Sequence, residues 1–410
     1  MHPNAHRARL RVPLVGLLVG LLAALAPAAA TAAQRDVLVV SNNWSGTADL
    51  VDPHSFKRLM RLNVIPDEAE RVAEIASDDV RTFYFQNIAT LVGEGNNQYV
   101  DDGFTSPDGR YVYFSRPSFA DVVAIDLRTR KIAWRVPVDG YRADHMALSK
   151  DGRRLLVSAS TANVIDVIDT RQRKIVARVP SGDAPHENNF SRDGKRIFHA
   201  SIGIPYTDSD DPSQDATKGK RFFQVIDART YEVTQQTDIG KELIRYGLGT
   251  SAAVRPMAIA PDERFIYMQL SFLHGFVEYD LREQRPRRVA VLPLNEVTRD
   301  MPRTQYTQDS AHHGLSFNPR GTKLCVAGTM SDYAAIVDRR TLTPDRITRV
   351  GKTPYWSTSS ADGRYCFVSV AGEDSVSVLS FRSGREVARF RVGDHPQRMR
   401  TGTIQRSFVR

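Results

Sequence analysis

The chain has 410 residues, of which 41% are hydrophobic and 25% charged. This is the composition of an ordinary globular protein with a large core, unlike a disordered, collagen-like or multi-span membrane chain. Lys and Arg number 56 against 47 Asp and Glu, a formal charge of +9, and the two cysteines exclude a disulfide-stapled scaffold and a Cys-rich zinc or iron–sulfur protein.

Residues 1–33 begin with Arg7, Arg9 and Arg11, continue in an apolar run over 12–26 and end in small residues over 28–33. That three-part pattern predicts a secretory signal peptide. Its apolar run, interrupted by Pro13 and followed by Pro27, falls short of the roughly 20 residues a membrane span needs. No span is expected after cleavage. The expected location is secreted, extracytoplasmic, where nucleic acid is an improbable partner. Without the leader arginines the charge is +6.

Residues 34–410 are expected to form one domain. Its first segments, 36–42, 46–52 and 58–64, alternate like strands. An insertion over 67–98 holds a helix-like stretch, 67–76, with Asp67, Glu68 and Glu70 at its start, where the helix dipole favours acids. One motif then recurs over 105–114, 148–157, 190–199, 259–268, 317–326 and 359–368. Each copy is a strand, a tight turn of the Ser106-Pro107-Asp108-Gly109 type, and a second strand rich in β-branched and aromatic residues, a hairpin signal. A third strand follows, ending at Asp126, Asp169, Asp227, Asp280 or Asp338, and a fourth runs over 131–136, 174–179 and 386–391. Four antiparallel strands about every 42 residues is the period of a β-propeller blade.

The first segments supply strands two to four of a blade that lacks its first strand, and residues 394–402 read as the opening of a repeat that stops. Paired, the two ends complete one blade and remove an open edge. The fold expected is therefore all-β, a single seven-bladed β-propeller of four-stranded blades closed by pairing of its N- and C-terminal strands. A second insertion, 203–220, carries Asp208, Asp210, Asp211 and Asp215 and reads as a solvated loop, since it lacks the glycine and distal Glu of a calcium loop. Cys325 and Cys366 fall on second strands of adjacent blades and read as buried small hydrophobes rather than a disulfide.

The Ser-x-Asp-Gly turn, the apolar strand and the Val-Ile-Asp ending of 167–169 and 225–227, followed by a short basic turn, closely resemble the YVTN family of bacterial extracytoplasmic propellers, in the lactonase-like and quinohaemoprotein amine dehydrogenase-like superfamily. The resemblance runs over 36–402 and implies the propeller. The relatives' chemistries differ, so it implies no single activity.

Function rests on residues that break the repeat's consensus. Counting back from each turn to the start of the innermost strand reaches Asp101 and Asp102, Asp144 and His145, His186 and Glu187, Arg255, His312 and His313, Tyr355 and Trp356, and Asp394, His395 and Arg398. Five of the eight histidines after residue 33 lie in this ring. Converging imidazoles and carboxylates suit a transition metal ion, copper, zinc or iron, with His145, His186, Glu187, His312, His313 and His395 as candidate ligands. His145, His186 and His313 are also the candidate catalytic bases. Arg255 and Arg398 are placed to anchor an anionic group, with Tyr355 and Trp356 at the rim to bind or stack on a small-molecule ligand.

Three readings stay open. One is a metal centre, hydrolytic, redox-active or for metal handling. Another is a metal-free lyase or lactonase-like enzyme using His with an acid. The last is a non-enzymatic rim, in which Arg255 and Arg398 pair with Asp101, Asp102 and Asp394 in solvated ion pairs and the surface docks a partner protein or cell-wall polymer. A monomer is expected. His54 and His199 read as structural. His274 reaches the mouth only if its loop folds inward.

Overall fold

The computed structural model describes residues 33–204, 212–245, 247 and 253–409. The leader, Asp208, Asp210 and Asp211 therefore lie outside the described residues. Seven four-stranded antiparallel sheets form a seven-bladed β-propeller. Closure occurs as expected: Pro396–Gln405 is the innermost strand of blade one and pairs with Gln34–Asn42, from Gln34 opposite Gln405 to Asn42 opposite Pro396.

The recurring turn explains why the blades repeat. Gly109, Gly152, Gly194, Gly321 and Gly363 all adopt left-handed φ between 65° and 71°, which costs glycine nothing. At two blade junctions the missing Cβ matters as well. A Cβ on Gly152 would lie 2.4 Å from Pro107 Cδ, and one on Gly321 would lie 2.3 Å from Pro261 Cγ. The proline of one blade's turn packs onto the glycine of the next. Second strands such as Arg154–Ala159 are buried almost throughout because both sheet faces are covered, whereas fourth strands such as Lys174–Pro180 alternate toward solvent.

Cys325 and Cys366 form a disulfide between the second strands of blades six and seven. This corrects the expectation of two separate buried thiols: the equivalent repeat positions bring their Cα atoms to 6.4 Å, within bridging range.

In this topology the connections from strand two to three and from strand four to the next blade lie on the face where the innermost strands begin. Among the described residues the opposite face carries the tight turns within blades and the C-terminal 3-10 turn, Arg406–Phe408. The 67–98 insertion is one such connection and forms a helical cap: α1 (Glu68–Ala76), α2 (Asp79–Asn87) and a π-helical turn, Ile88–Val92. Glu68 and Glu70 occupy the first turn of α1, as its sequence suggests. The cap is anchored from below by the fully buried Arg116, which donates to Asp121 Oδ1 at 2.7 Å and to Asp67 Oδ1 at 2.5 Å. Tyr84 of α2 stacks on Tyr141 of the propeller, ring centroids 4.4 Å apart. In the second insertion Pro212–Lys218 forms a 3-10 turn. No helix among the described residues is long and apolar enough to cross a membrane.

Candidate functional site beneath the helical cap

The innermost strands share a local device. Their pairing slips between Ala143 and Met146, between Pro185 and Glu187, between Val254 and Met257, and between Pro354 and Ser357. Each slip is a bulge that interrupts alternation and re-aims neighbouring side chains. Asp144, His145, His186, Arg255, Tyr355 and Trp356 all sit at or beside these bulges.

His145, His186 and His313 come together. Each is at most 5% exposed, and one nitrogen from each lies within 4.8 Å of the others. The rings of His145 and His186 are 3.7 Å apart between centroids. His186 Nδ1 hydrogen-bonds Asp144 Oδ2 at 3.0 Å, which leaves Nε2 buried without a partner; both ring nitrogens of His313 are buried and unpartnered too. Tyr355 stacks on His313 at 3.9 Å and donates its hydroxyl to Gln308 Oε1. A second set, Asp101, Asp144 and His145, meets the same spacing.

Beneath them Arg398, fully buried, donates from Nε to Asp101 Oδ2 at 3.1 Å and from Nη2 to His145 Nδ1 at 2.6 Å. Its Cζ lies 4.1 Å above the Trp356 ring, and Arg400 lies 5.0 Å from the same ring. Glu187 Oε2 approaches His145 Nδ1 to 2.8 Å.

Burial pushes the His186 pKa down to about 4 against the pull of Asp144, and holds His145 and His313 well below their ordinary value with the Arg398 charge adding to the effect. All three imidazoles are therefore neutral at pH 7, the form that ligates metals. Burial raises Asp101 and Glu187 to about 7 against Arg398. For Asp144 burial also pushes upward, but Arg142 and His186 outweigh it and keep the carboxylate ionised.

Other ring residues lie elsewhere. His312 Nε2 bonds Tyr333 Oη at 3.1 Å, and its ring stands edge-on to His274 at 5.7 Å. His395 stacks on Trp44 at 3.7 Å. Asp394 is exposed. Asp102 forms a two-point ion pair with Arg400. His199 is held by Asn188 and Ser201. Of the ion pairs expected to be solvated, Arg398–Asp101 forms and is buried, whereas Arg255 bonds Ser271 and two backbone carbonyls and Asp102 pairs with Arg400 instead.

The structure adds participants that the sequence reading missed. Arg142 donates to Asp144 Oδ2 at 2.7 Å. The cap contributes Tyr84, Ile88, Leu91 and Val92 to a cavity of about 240 Å³ that reaches down to His145 and His186. Arg142 lies two residues before Asp144, one place beyond the window that the repeat count used. The cap residues carry no repeat signal.

Fold and site define a capped seven-bladed propeller whose channel mouth holds a buried imidazole cluster. No family model matches the chain, and no curated protein does. Among solved structures it resembles hydrazine synthase of Kuenenia stuttgartiensis, with 18% identity over 84% of this chain and 92% of that one at a TM-score of 0.59. It also resembles the dihydro-haem d1 dehydrogenase NirN in complex with DHE, with 15% identity over 89% and 74% at a TM-score of 0.53. At these identities the likeness is one of fold.

Proposed function

We propose that this chain is an exported, monomeric propeller of the YVTN type that binds a transition metal ion through His145, His186 and His313 and presents it to a small molecule under the cap. The observation that carries this reading is the state of His186 Nε2 and of both His313 nitrogens, buried and without a protein partner. A buried polar atom without a partner costs about 1–3 kcal/mol, and a metal would relieve one on each of the two rings. Asp144 would orient His186 through Nδ1, the carboxylate–histidine arrangement that fixes a ligand's tautomer. With three protein ligands the ion keeps a position open, as catalytic sites do. It would supply Lewis acidity, or redox capacity if copper or iron. The disulfide and the leader pattern support an extracytoplasmic setting, and the NirN neighbour, a dehydrogenase of dihydro-haem d1 by its name, is consistent with a redox ligand.

A metal-free acid–base reading has its own observation: Glu187 and Asp101, both raised to about 7, flank His145, a poise suited to proton transfer at neutral pH. Elemental analysis of untagged protein separates the two. The metal reading expects about one equivalent of copper, zinc or iron, lost in His186→Ala and His313→Ala while the melting temperature holds. Metal-free wild type after incubation with each ion would leave the acid–base reading.

A further inference from the structure

The cavity beneath the cap has two unlike ends. Its upper wall is apolar, built by Ile88, Leu91 and Val92 of the cap and by Ile202 across the mouth. Its floor is ionic. Two of the three guanidinium groups at or under this floor are committed to carboxylates, Arg142 to Asp144 at 2.7 Å and Arg398 to Asp101 at 3.1 Å. Arg255 differs. It is 4% exposed and donates to Ser271 Oγ at 2.9 Å and to the carbonyls of Gln308 and Asp309 at 2.8 and 3.2 Å, which are neutral acceptors. Burial weakens its hold on the proton, with the Asp309 carboxylate opposing. A buried cation bonded to neutral oxygens carries a desolvation cost that an incoming anion would offset, and Nη1, the guanidinium nitrogen that these acceptors do not engage, can donate to a carboxylate.

We infer that the cavity takes a monocarboxylate with an apolar or aromatic body, its carboxylate on Arg255 and its body against Ile88, Leu91 and Val92. This rests on the reading of the capped mouth as the functional site and adds the class of compound it admits. The cap selects the body and Arg255 selects the charge, so neither half alone binds well.

Calorimetric titration with three probes tests this. Phenylacetate has both halves, phenylacetamide has the body without the charge, and acetate has the charge without the body. Phenylacetate should bind at least tenfold tighter than either of the others. Arg255→Gln should remove that advantage while leaving phenylacetamide unchanged, and Leu91→Ser, at a position 57% exposed, should weaken phenylacetate three- to tenfold while leaving acetate unchanged. Equal binding of phenylacetate and phenylacetamide, absence of binding by all three, or an Arg255→Gln protein that binds phenylacetate as wild type does would each overturn the inference. If Arg255→Gln fails to fold, the wild-type probe comparison and Leu91→Ser decide alone. Metal content is measured on the same samples. Metal-free protein that still prefers phenylacetate sinks the metal reading only, and metal-loaded protein without that preference sinks this inference only.

Discussion

Arg398 Nη2 lies 2.6 Å from His145 Nδ1, a contact between residues 253 positions apart that sets the protonation of the site. A guanidinium only donates, so in the metal-free protein Nδ1 accepts and the His145 proton sits on Nε2, toward Asp144 Oδ1 at 3.5 Å; metal binding through His145 would require loss of that proton or withdrawal of Arg398. Glu187 Oε2, 2.8 Å from the same Nδ1, then shares in this protonation, its pKa raised to about 7 by burial so that a large fraction of the carboxyl is protonated at neutral pH. Infrared difference spectra at neutral pH should show a protonated-carboxyl stretch that is lost in Glu187→Gln. A fully ionised Glu187 would contradict this assignment. Arg398→Ala should destabilise the fold by about 3–5 kcal/mol, since it leaves Asp101 buried without its cation.

Closure of the propeller depends on its final strand. Removing residues 396–410 deletes the innermost strand of blade one and exposes the backbone edge of Gln34–Asn42. The truncated protein should melt far below wild type or aggregate. A melting temperature within a few degrees of wild type would show that the terminal pairing carries little stability.

The disulfide gives a separate handle. Cys325 and Cys366 are 41 positions apart, and closing a loop of that length in the unfolded chain corresponds to about 4 kcal/mol. Cys325→Ser with Cys366→Ser, or thorough reduction, should lower the melting temperature without changing the propeller's circular dichroism. Equal melting of oxidised and reduced protein would remove the bond from the stability account.

Stability should fall as the solution is acidified from pH 7 toward pH 5. Burial depresses His186 and His274 to about 4 and His199, His312 and His395 to about 3, and lowers His145 and His313 as well. Below about 6.5 the unfolded chain binds protons on these seven imidazoles that the folded chain does not, which favours unfolding. Raised carboxylates act oppositely: Asp101 and Glu187 at about 7, Asp166 at about 6, with Glu94 and Asp394 also raised, keep protons in the folded state and lose stability as pH rises from about 4. Seven imidazoles outnumber five carboxylates, so the net slope is downward on acidification. Calorimetric melting across this range checks it, and a flat or rising melting temperature would refute it.

The propeller, its seven blades and its terminal closure were legible in the amino-acid order, because every blade rewrites the same turn and strand spacing and local chemistry dictates each copy. The repeat count also reached His145, His186, His313, Arg255 and Arg398, since equivalent positions in a closed ring must face one axis. It could not separate the three clustered histidines from His312 and His395. That choice is made by the bulges and by Trp44 and Tyr333, which draw two rings away. Nor could it foresee that the Arg398–Asp101 ion pair is buried, or that Cys325 meets Cys366. Burial, partner choice and pKa depend on the cap folding back from 67–98 and on side chains brought together from blades hundreds of residues apart. Periodicity determined where the axis lies; only tertiary packing decided which groups on it are left without partners, because a desolvated polar atom is defined by all of its neighbours at once.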